Sequence, residues 1–170
     1  MEGDTTQSAE PSSNLAFHSE SAASLVLLYV EDSPDDQTLF QEALTQSGLP
    51  VECVPLNSAA NAIAYLERLL QQRSVGPTRW PDLVLLDWTL PGQSGITVLQ
   101  YLRGSAAWQR LPVIVFSGNP NPQQTDEAYR LGANSCLCKP LRFDRMVEIT
   151  RAIYQAWTLA LRPRPPAAAP

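Results

Sequence analysis

Short, nearly continuous apolar runs constrain the fold of this chain more than any other feature. Three of them are Leu25-Val-Leu-Leu-Tyr-Val30, Asp82-Leu-Val-Leu-Leu-Asp87 and Pro112-Val-Ile-Val-Phe-Ser117. A strand covered on one face alternates apolar and polar residues, whereas a strand of a parallel sheet covered on both faces is apolar throughout. The runs are also far shorter than the ~18 residues of a membrane span. They therefore predict buried strands of a parallel sheet.

Amphipathic stretches of helical period lie between these runs. The first opens with Asp32-Ser33-Pro34, a capping residue before a proline of the first turn, and ends at Gly48. Two less continuously apolar runs, 51–56 and 135–138, complete a set of five strands. Because strands that alternate with helices form right-handed crossovers, we predict an α/β fold with helices on both faces of a parallel sheet. The predicted helices are 34–47, 58–73, 94–103, 122–131 and 143 to about 160.

Length and composition predict one folded domain with a tail at each end. A chain of 170 residues with 44% apolar residues is typical of a single globular domain. Residues 1–23 carry four acidic residues and no Lys or Arg, and residues 162–170 hold four of the 15 prolines. Both compositions are typical of segments that do not fold. We therefore expect a disordered tail at 1–23, a domain at 24–161 and a Pro-rich tail at 162–170.

Charge and cysteine usage limit the partners and the compartment. The net charge is −5, with four of the negative charges in the first tail, so no basic patch predicts binding to nucleic acid or to an anionic membrane. Cys53, Cys136 and Cys138 fit no disulfide framework, and no leader of basic then apolar residues opens the chain. The one histidine, His18, cannot complete a zinc site with Cys136 and Cys138. We expect core thiols in a cytoplasmic protein.

Polar residues follow four of the predicted strands. The first is followed by Glu31-Asp32, the third ends in Asp87, the fourth in Ser117, and the fifth is followed by Lys139. Because the carboxyl ends of parallel strands meet at one edge of a sheet, we expect these groups to lie together. Clustered carboxylates repel unless a cation neutralises them, and Mg²⁺ prefers oxygen ligands. The pattern predicts a magnesium site, although an acid such as Asp32 is also typical of a helix cap.

This set of groups suits transfer of a phosphoryl group to a carboxylate. Asp87 is the candidate nucleophile because it follows the central apolar strand and is expected to be the best buried of the acids. Lys139, the only lysine among 12 basic residues, is predicted to contact a phosphoryl oxygen, and Ser117 to donate to another. Asp32 is expected to bind the metal directly, Glu31 through water.

The motifs that carry these residues resemble the receiver domain of two-component response regulators. They cover residues 27–36, 82–92 with Gly95, 112–117 and 132–140. The resemblance implies a doubly wound, five-stranded flavodoxin-like sheet in the order 2-1-3-4-5 and phosphorylation of Asp87 by a partner histidine kinase. It also implies Mg²⁺ bound by Asp32, Asp87 and the backbone carbonyl of Thr89. Ser117 and Lys139 match the switch hydroxyl and lysine of the family.

Two segments of the chain indicate a particular group within this family. Residues 76–82 and 153–157 are similar to those of stand-alone regulators paired with phytochromes, which implies a bacteriophytochrome-type sensor kinase and a homodimer formed through helix 4, strand 5 and helix 5. The alternative is that helix 5 packs entirely on its own sheet. The family's aromatic switch position is Cys136 here. Since no DNA-binding motif follows residue 161, the output is expected to pass through protein contacts.

Other functions remain open from the residues alone. Asp87-Trp-Thr89 matches the Asp-x-Thr of hydrolases that form an aspartyl-phosphate, but such enzymes generally place their general acid where this chain has Thr89. A receiver-like docking module that takes no phosphate is the other alternative. A serine hydrolase is excluded because Gly92-Gln-Ser-Gly95 is not a G-x-S-x-G turn and His18 lies in the tail.

Overall fold

The structure is a computed structural model that describes residues 24–72, 79–92 and 94–159. These residues form strands and helices in alternation, and the predicted α/β class is confirmed; where the flanking residues are described, the element ends differ from the prediction by at most one residue. The strands are β1 (Leu25–Val30), β2 (Val51–Leu56), β3 (Leu83–Leu86), β4 (Val113–Ser117) and β5 (Ser135–Cys138). The helices are α1 (Pro34–Ser47), α2 (Ala59–Gln72), α3 (Gly95–Gly104), α4 (Pro122–Arg130) and α5 (Phe143–Leu159).

The five strands make one parallel sheet in the order β2-β1-β3-β4-β5, which confirms the implied topology. The three strands predicted to be covered on both faces, β1, β3 and β4, occupy the central positions, and every residue in them is buried. The edge strands β2 and β5 are mostly half-buried or exposed. The continuous apolar runs therefore mark the middle of the sheet.

Alternate side chains of the central strands enter two separate apolar cores. Leu28 and Val30 of β1 pack in the core that includes residues of α2 and α3, whereas Leu27 and Tyr29 pack in the core that includes residues of α1 and α5. Because successive side chains of a strand point to opposite faces, both sets must be apolar. In the second core, α5 contributes Met146, Val147 and Ile153, so this helix packs on its own sheet.

Local signals in the sequence explain where α1 begins and ends. Ser33 is the N-cap and accepts a hydrogen bond from the backbone N–H of Asp36, while Pro34 occupies the first turn. Gly48 ends the helix with a φ of 66°, in the left-handed region that glycine adopts without a steric cost. The N-cap at Ser33 therefore places the start of α1 three residues after the end of β1.

The register of the sheet brings the ends of distant strands to one edge. Val30 of β1 pairs with Leu86 of β3, so the residues that follow, Glu31 and Asp87, leave the sheet side by side. Ser117 of β4 pairs with Cys138 of β5, so Lys139 leaves the sheet beside Ser117. The predicted functional residues therefore meet at the carboxyl edge.

The expectation of three core thiols is wrong for Cys138, which is exposed. It is the last residue of an edge strand, where no further strand covers it. Cys53 and Cys136 are half-buried and pack against the second and first core respectively. Burial raises the pKa of Cys53 to about 12, so this thiol is protonated at neutral pH.

Several expectations fall outside the described residues. The predicted tails at 1–23 and 162–170 lie there, as does part of the 76–82 segment. Among the helices that are described, none is long and apolar enough to cross a bilayer.

Replacing Gly95 with Ala tests how tightly α3 is joined to the end of β3. A Cβ atom at Gly95 would lie 2.2 Å from the backbone oxygen of Asp87, whereas one at Gly104, in the same helix, would meet nothing within 4 Å. We expect Gly95→Ala to lower the free energy of unfolding by about 1–3 kcal/mol and Gly104→Ala to change it by less than about 1 kcal/mol. Urea unfolding measures both, and equal effects would contradict the predicted contact.

Candidate functional site

The ammonium of Lys139 lies among three carboxylates at the carboxyl edge of the sheet. Its Nζ donates to Oδ2 of Asp87 at 2.6 Å, to Oδ2 of Asp36 at 2.9 Å and to Oε2 of Glu31. Burial by itself lowers the pKa of Lys139, but the hydrogen bonds that it donates to Asp87, Glu31 and Asp36 outweigh that effect and raise the pKa above its usual value. The lysine is therefore held in its charged form.

Glu31 is the most deeply buried of the acids: its side chain is 1% exposed, against 9% for the side chain of Asp87. The expectation that Asp87 is the best buried is therefore wrong. The side chain of Glu31 accepts hydrogen bonds from the Tyr29 hydroxyl, the Ser33 backbone N–H and Lys139, which compensate its removal from water. Burial raises the pKa of Glu31, and the hydrogen bond from Lys139 opposes that rise.

Both oxygens of Asp87 are held by hydrogen bonds. Oδ1 accepts the backbone N–H of Thr89 at 2.8 Å, and Oδ2 accepts the ammonium of Lys139. The backbone N–H of Asp87 donates to the carbonyl of Val30 at 2.9 Å, which continues the pairing of β3 with β1. The carboxylate therefore has a defined orientation at the end of the middle strand, where it is 9% exposed.

Three carboxylates are placed so that they fit a divalent cation. Glu31, Asp32 and Asp87 each offer an oxygen, and these oxygens lie within 4.8 Å of one another. Asp32 is half-buried and, among the described residues, is not a partner of the lysine ammonium. An all-oxygen set of negative charge is what Mg²⁺ and similar hard cations prefer. The backbone N–H of Thr89 donates to Asp87, and the metal role of the Thr89 carbonyl stays a prediction.

The two predicted switch residues lie at the β4–β5 side of the site. Ser117 is 6% exposed, and its backbone carbonyl accepts the backbone N–H of Lys139 at 2.8 Å. Cys136 donates its backbone N–H to the hydroxyl of Tyr129, on α4, at 3.3 Å. The aromatic residue that the family has at position 136 is thus replaced by cysteine, and the ring of Tyr129 approaches this position from α4.

Sequence reasoning missed Asp36. An acidic residue in the first turn of a helix is typical of a favourable interaction with the helix dipole, so its type and position do not single it out. The exposed neighbour Asp35 satisfies the same pattern. Only the folded chain shows that Asp36, and not Asp35, reaches Lys139.

Comparison with known proteins places these observations in a family. The sequence profile of the response regulator receiver domain matches residues 27–151. Response regulator Rcp1 of Synechocystis sp. is 31% identical over 132 residues, which cover 78% of this chain and 88% of Rcp1. The Mn(2+)-bound form of Rcp1 has a TM-score of 0.68 at 29% identity, over 84% of this chain and 99% of that one.

Two further solved structures are similar. The phosphorylated cyanobacterial phytochrome response regulator RcpA has a TM-score of 0.71 at 30% identity, over 84% of this chain and 100% of that one. The bacteriophytochrome response regulator RtBRR has a TM-score of 0.63 at 29% identity, over 84% of each chain. The similarity therefore covers most of the described residues.

Replacing Lys139 with Met tests the electrostatic role of the ammonium. Without Lys139, which lowers the pKa of Glu31, burial raises that pKa further, so the protonated acid is favoured in the folded protein. A group whose pKa is raised by folding contributes stability that is present below its unfolded pKa and is lost as the pH rises. In EDTA we expect a loss of about 3 kcal/mol at about pH 7.5 and a much smaller loss at about pH 4.

Urea unfolding at both pH values measures this difference. The control is Arg145→Met, which removes an exposed ion pair with Glu148 and is expected to cost less than about 1 kcal/mol at either pH. A loss for Lys139→Met that does not depend on pH would contradict the assigned role.

Proposed function

This chain belongs to the response regulator receiver family, and we propose that it accepts a phosphoryl group on Asp87 from the phosphohistidine of a partner kinase. The observation that carries the proposal is the 2.6 Å contact between the Lys139 ammonium and Oδ2 of Asp87, beside oxygens that fit a divalent cation. Positive charge placed in advance beside a carboxylate stabilises the negative charge that a transferred phosphoryl group brings.

The transfer exchanges one bond to phosphorus for another. An oxygen of Asp87 attacks the phosphorus in line with its bond to the imidazole nitrogen; the new P–O bond forms as the P–N bond breaks. The electron pair of the broken bond stays on the nitrogen, which takes up a proton. The hydrogen bonds from Thr89 and Lys139 orient the carboxylate before the donor arrives, and Lys139 then donates to a phosphoryl oxygen.

We assign the metal site to Mg²⁺, with Asp32 and Asp87 as direct ligands and the Thr89 carbonyl as a third. The bound cation would offset the negative charge of the phosphoryl oxygens. Glu31 is proposed to act through water, because its oxygens already accept hydrogen bonds from Tyr29, Ser33 and Lys139. Mg²⁺ usually keeps several water ligands, which agrees with this arrangement.

We propose that phosphorylation transmits its signal by changing the surface formed by α4, β5 and α5. Phosphorylation adds about −1.5 to −2 charges at Asp87, which would draw Lys139 and the Ser117 hydroxyl toward the new oxygens. The backbone bond between Lys139 and Ser117 links the ends of β4 and β5. Tyr129 contacts the backbone of Cys136, so a shift of β5 would also reach α4.

The partners are proposed from the relatives and from the exposed residues. RcpA and RtBRR are named as phytochrome and bacteriophytochrome response regulators, which supports a light-sensing histidine kinase as the phosphate donor of this chain. A homodimer through α4, β5 and α5 is supported by Tyr129 and Leu159, which are 49% and 87% exposed. Since the opposite face of α5 is buried in its own core, only its outer face is available for pairing.

Intact mass after incubation with Mg²⁺ and acetyl phosphate tests the acceptor. We expect one phosphoryl group on the wild type, none on Asp87→Asn and none when EDTA removes the metal. Asp35→Asn is the control. It removes an exposed acid that is not among those that contact Lys139, and we expect it to be labelled like the wild type. No label on the wild type, or equal labelling of Asp87→Asn, would contradict the assignment.

Phosphomonoester turnover and partner binding, measured beside the intact mass, separate the two alternative functions. Sustained turnover of a phosphomonoester would favour a hydrolase that forms an aspartyl-phosphate. Absence of any label, with a partner still bound, would favour a phosphorylation-independent docking module. A single labile phosphate per chain is the result expected of a receiver.

Light scattering with and without beryllofluoride, which mimics the phosphoryl group, tests the dimer. We expect the dimer fraction to rise when Mg²⁺ and beryllofluoride are added, and the rise to be reduced in Leu159→Glu, because a charge would replace an exposed apolar side chain on α5. Gln46→Glu, at an exposed position of α1, is the control. A molar mass that does not respond to beryllofluoride would exclude coupling between the site and association.

A further inference from the structure

Asp36 is the most exposed of the three acids that hold Lys139. The side chain of Asp36 is 41% exposed, against 1% for Glu31 and 9% for Asp87. An ammonium has three N–H groups, and here each is directed at a different carboxylate. In the unphosphorylated protein, Lys139 therefore has no N–H free for another acceptor.

The exposure of each acid determines which contact can be given up. The N–H that Lys139 directs at Asp87 can pass to an oxygen of a phosphoryl group there, and a second hydrogen bond to that group requires Lys139 to give up Glu31 or Asp36. Leaving the buried Glu31 charged without its cation is costly. Water can take the place of the lysine at Asp36, because 41% of the Asp36 side chain is exposed. Asp36 is thus the partner that Lys139 leaves at the lowest cost.

The carboxylate of Asp36 is not used to cap α1. In a capping box, an acid at the third helical position accepts the backbone N–H of the N-cap residue. Here Oε1 of Glu31 accepts that N–H, from Ser33, at 3.2 Å, and Asp36 contributes only its backbone N–H to the Ser33 hydroxyl. Asp35 and Asp36 both lie in the first turn of α1, where an acid interacts favourably with the helix dipole. The Asp36 carboxylate in addition forms an ion pair with Lys139.

We propose that Asp36 is a positioning residue that holds the Lys139 ammonium in the unphosphorylated protein and releases it to the phosphoryl group. The inference rests on the proposed function and adds a residue that sets how easily the phosphorylated state is reached. Loss of the Asp36 charge removes an interaction of the unphosphorylated state. The equilibrium between the two states then shifts toward the phosphorylated one.

Asp36→Asn is the test variant and Asp35→Asn is its matched control. Both substitutions remove one negative charge from the first turn of α1, so effects of net charge and helix dipole are the same in kind. Asp35 is exposed and is not among the acids that contact Lys139. Urea unfolding of both variants checks that each is folded.

The first measurement observes the lysine itself. Because Lys139 is the only lysine in the chain, protein labelled with isotopic lysine gives a single set of ε-methylene NMR signals. The two ε protons have different chemical shifts when the ammonium is held in one position. We expect this difference to decrease in Asp36→Asn and to remain in Asp35→Asn. Identical lysine spectra in the two variants would overturn the proposal.

The second measurement is the affinity for beryllofluoride in the presence of Mg²⁺. The loss of a partly exposed ion pair predicts binding about two- to fivefold tighter in Asp36→Asn than in Asp35→Asn. Equal or weaker binding in Asp36→Asn would overturn the proposed release. If the wild type binds no beryllofluoride, the proposed function fails, and the lysine spectra still decide whether Asp36 holds Lys139.

Discussion

The contact between one ammonium and three carboxylates is the interaction on which the site depends. Three negative charges at one edge of a sheet repel one another, and Glu31 is almost completely removed from water. Lys139 compensates both effects because its N–H groups contact Glu31, Asp36 and Asp87. Its partners lie 108, 103 and 52 positions away in the chain, so the cluster forms only when β1, β3 and β5 are in register.

The parallel sheet explains why this chemistry collects at an edge. The central strands are buried on both faces, which leaves no place along them for a charged side chain. Polar groups can follow only where each strand ends, and in a parallel sheet these ends lie together. The pairing of Val30 with Leu86 and of Ser117 with Cys138 then sets which residues meet. The buried parallel sheet that defines the fold therefore also brings the functional residues together.

The bounds of the strands and helices could be predicted from the sequence more accurately than the burial of particular side chains. The apolar runs and the caps of α1 depend on neighbours in the chain, so the element ends were predicted to within one residue where the flanking residues are described. The relative depth of Glu31 and Asp87 was predicted wrongly, because depth depends on donors such as the Tyr29 hydroxyl that surround a side chain in space. Cys138 is exposed although its run is apolar, because β5 lies at the edge of the sheet and no further strand covers its end.

Three properties of this protein follow from its amino-acid sequence alone: the alternation of strands and helices, the two-sided burial of the central strands and the set of polar residues that follow them. These properties depend on local periodicity and on the length of each apolar run. Two contacts become apparent only in the folded chain: Asp36, and not Asp35, contacts Lys139, and Tyr129 of α4 contacts the backbone of Cys136. Such choices depend on the register of strands and the rotation of helices, which are set by packing between segments that are distant in the chain.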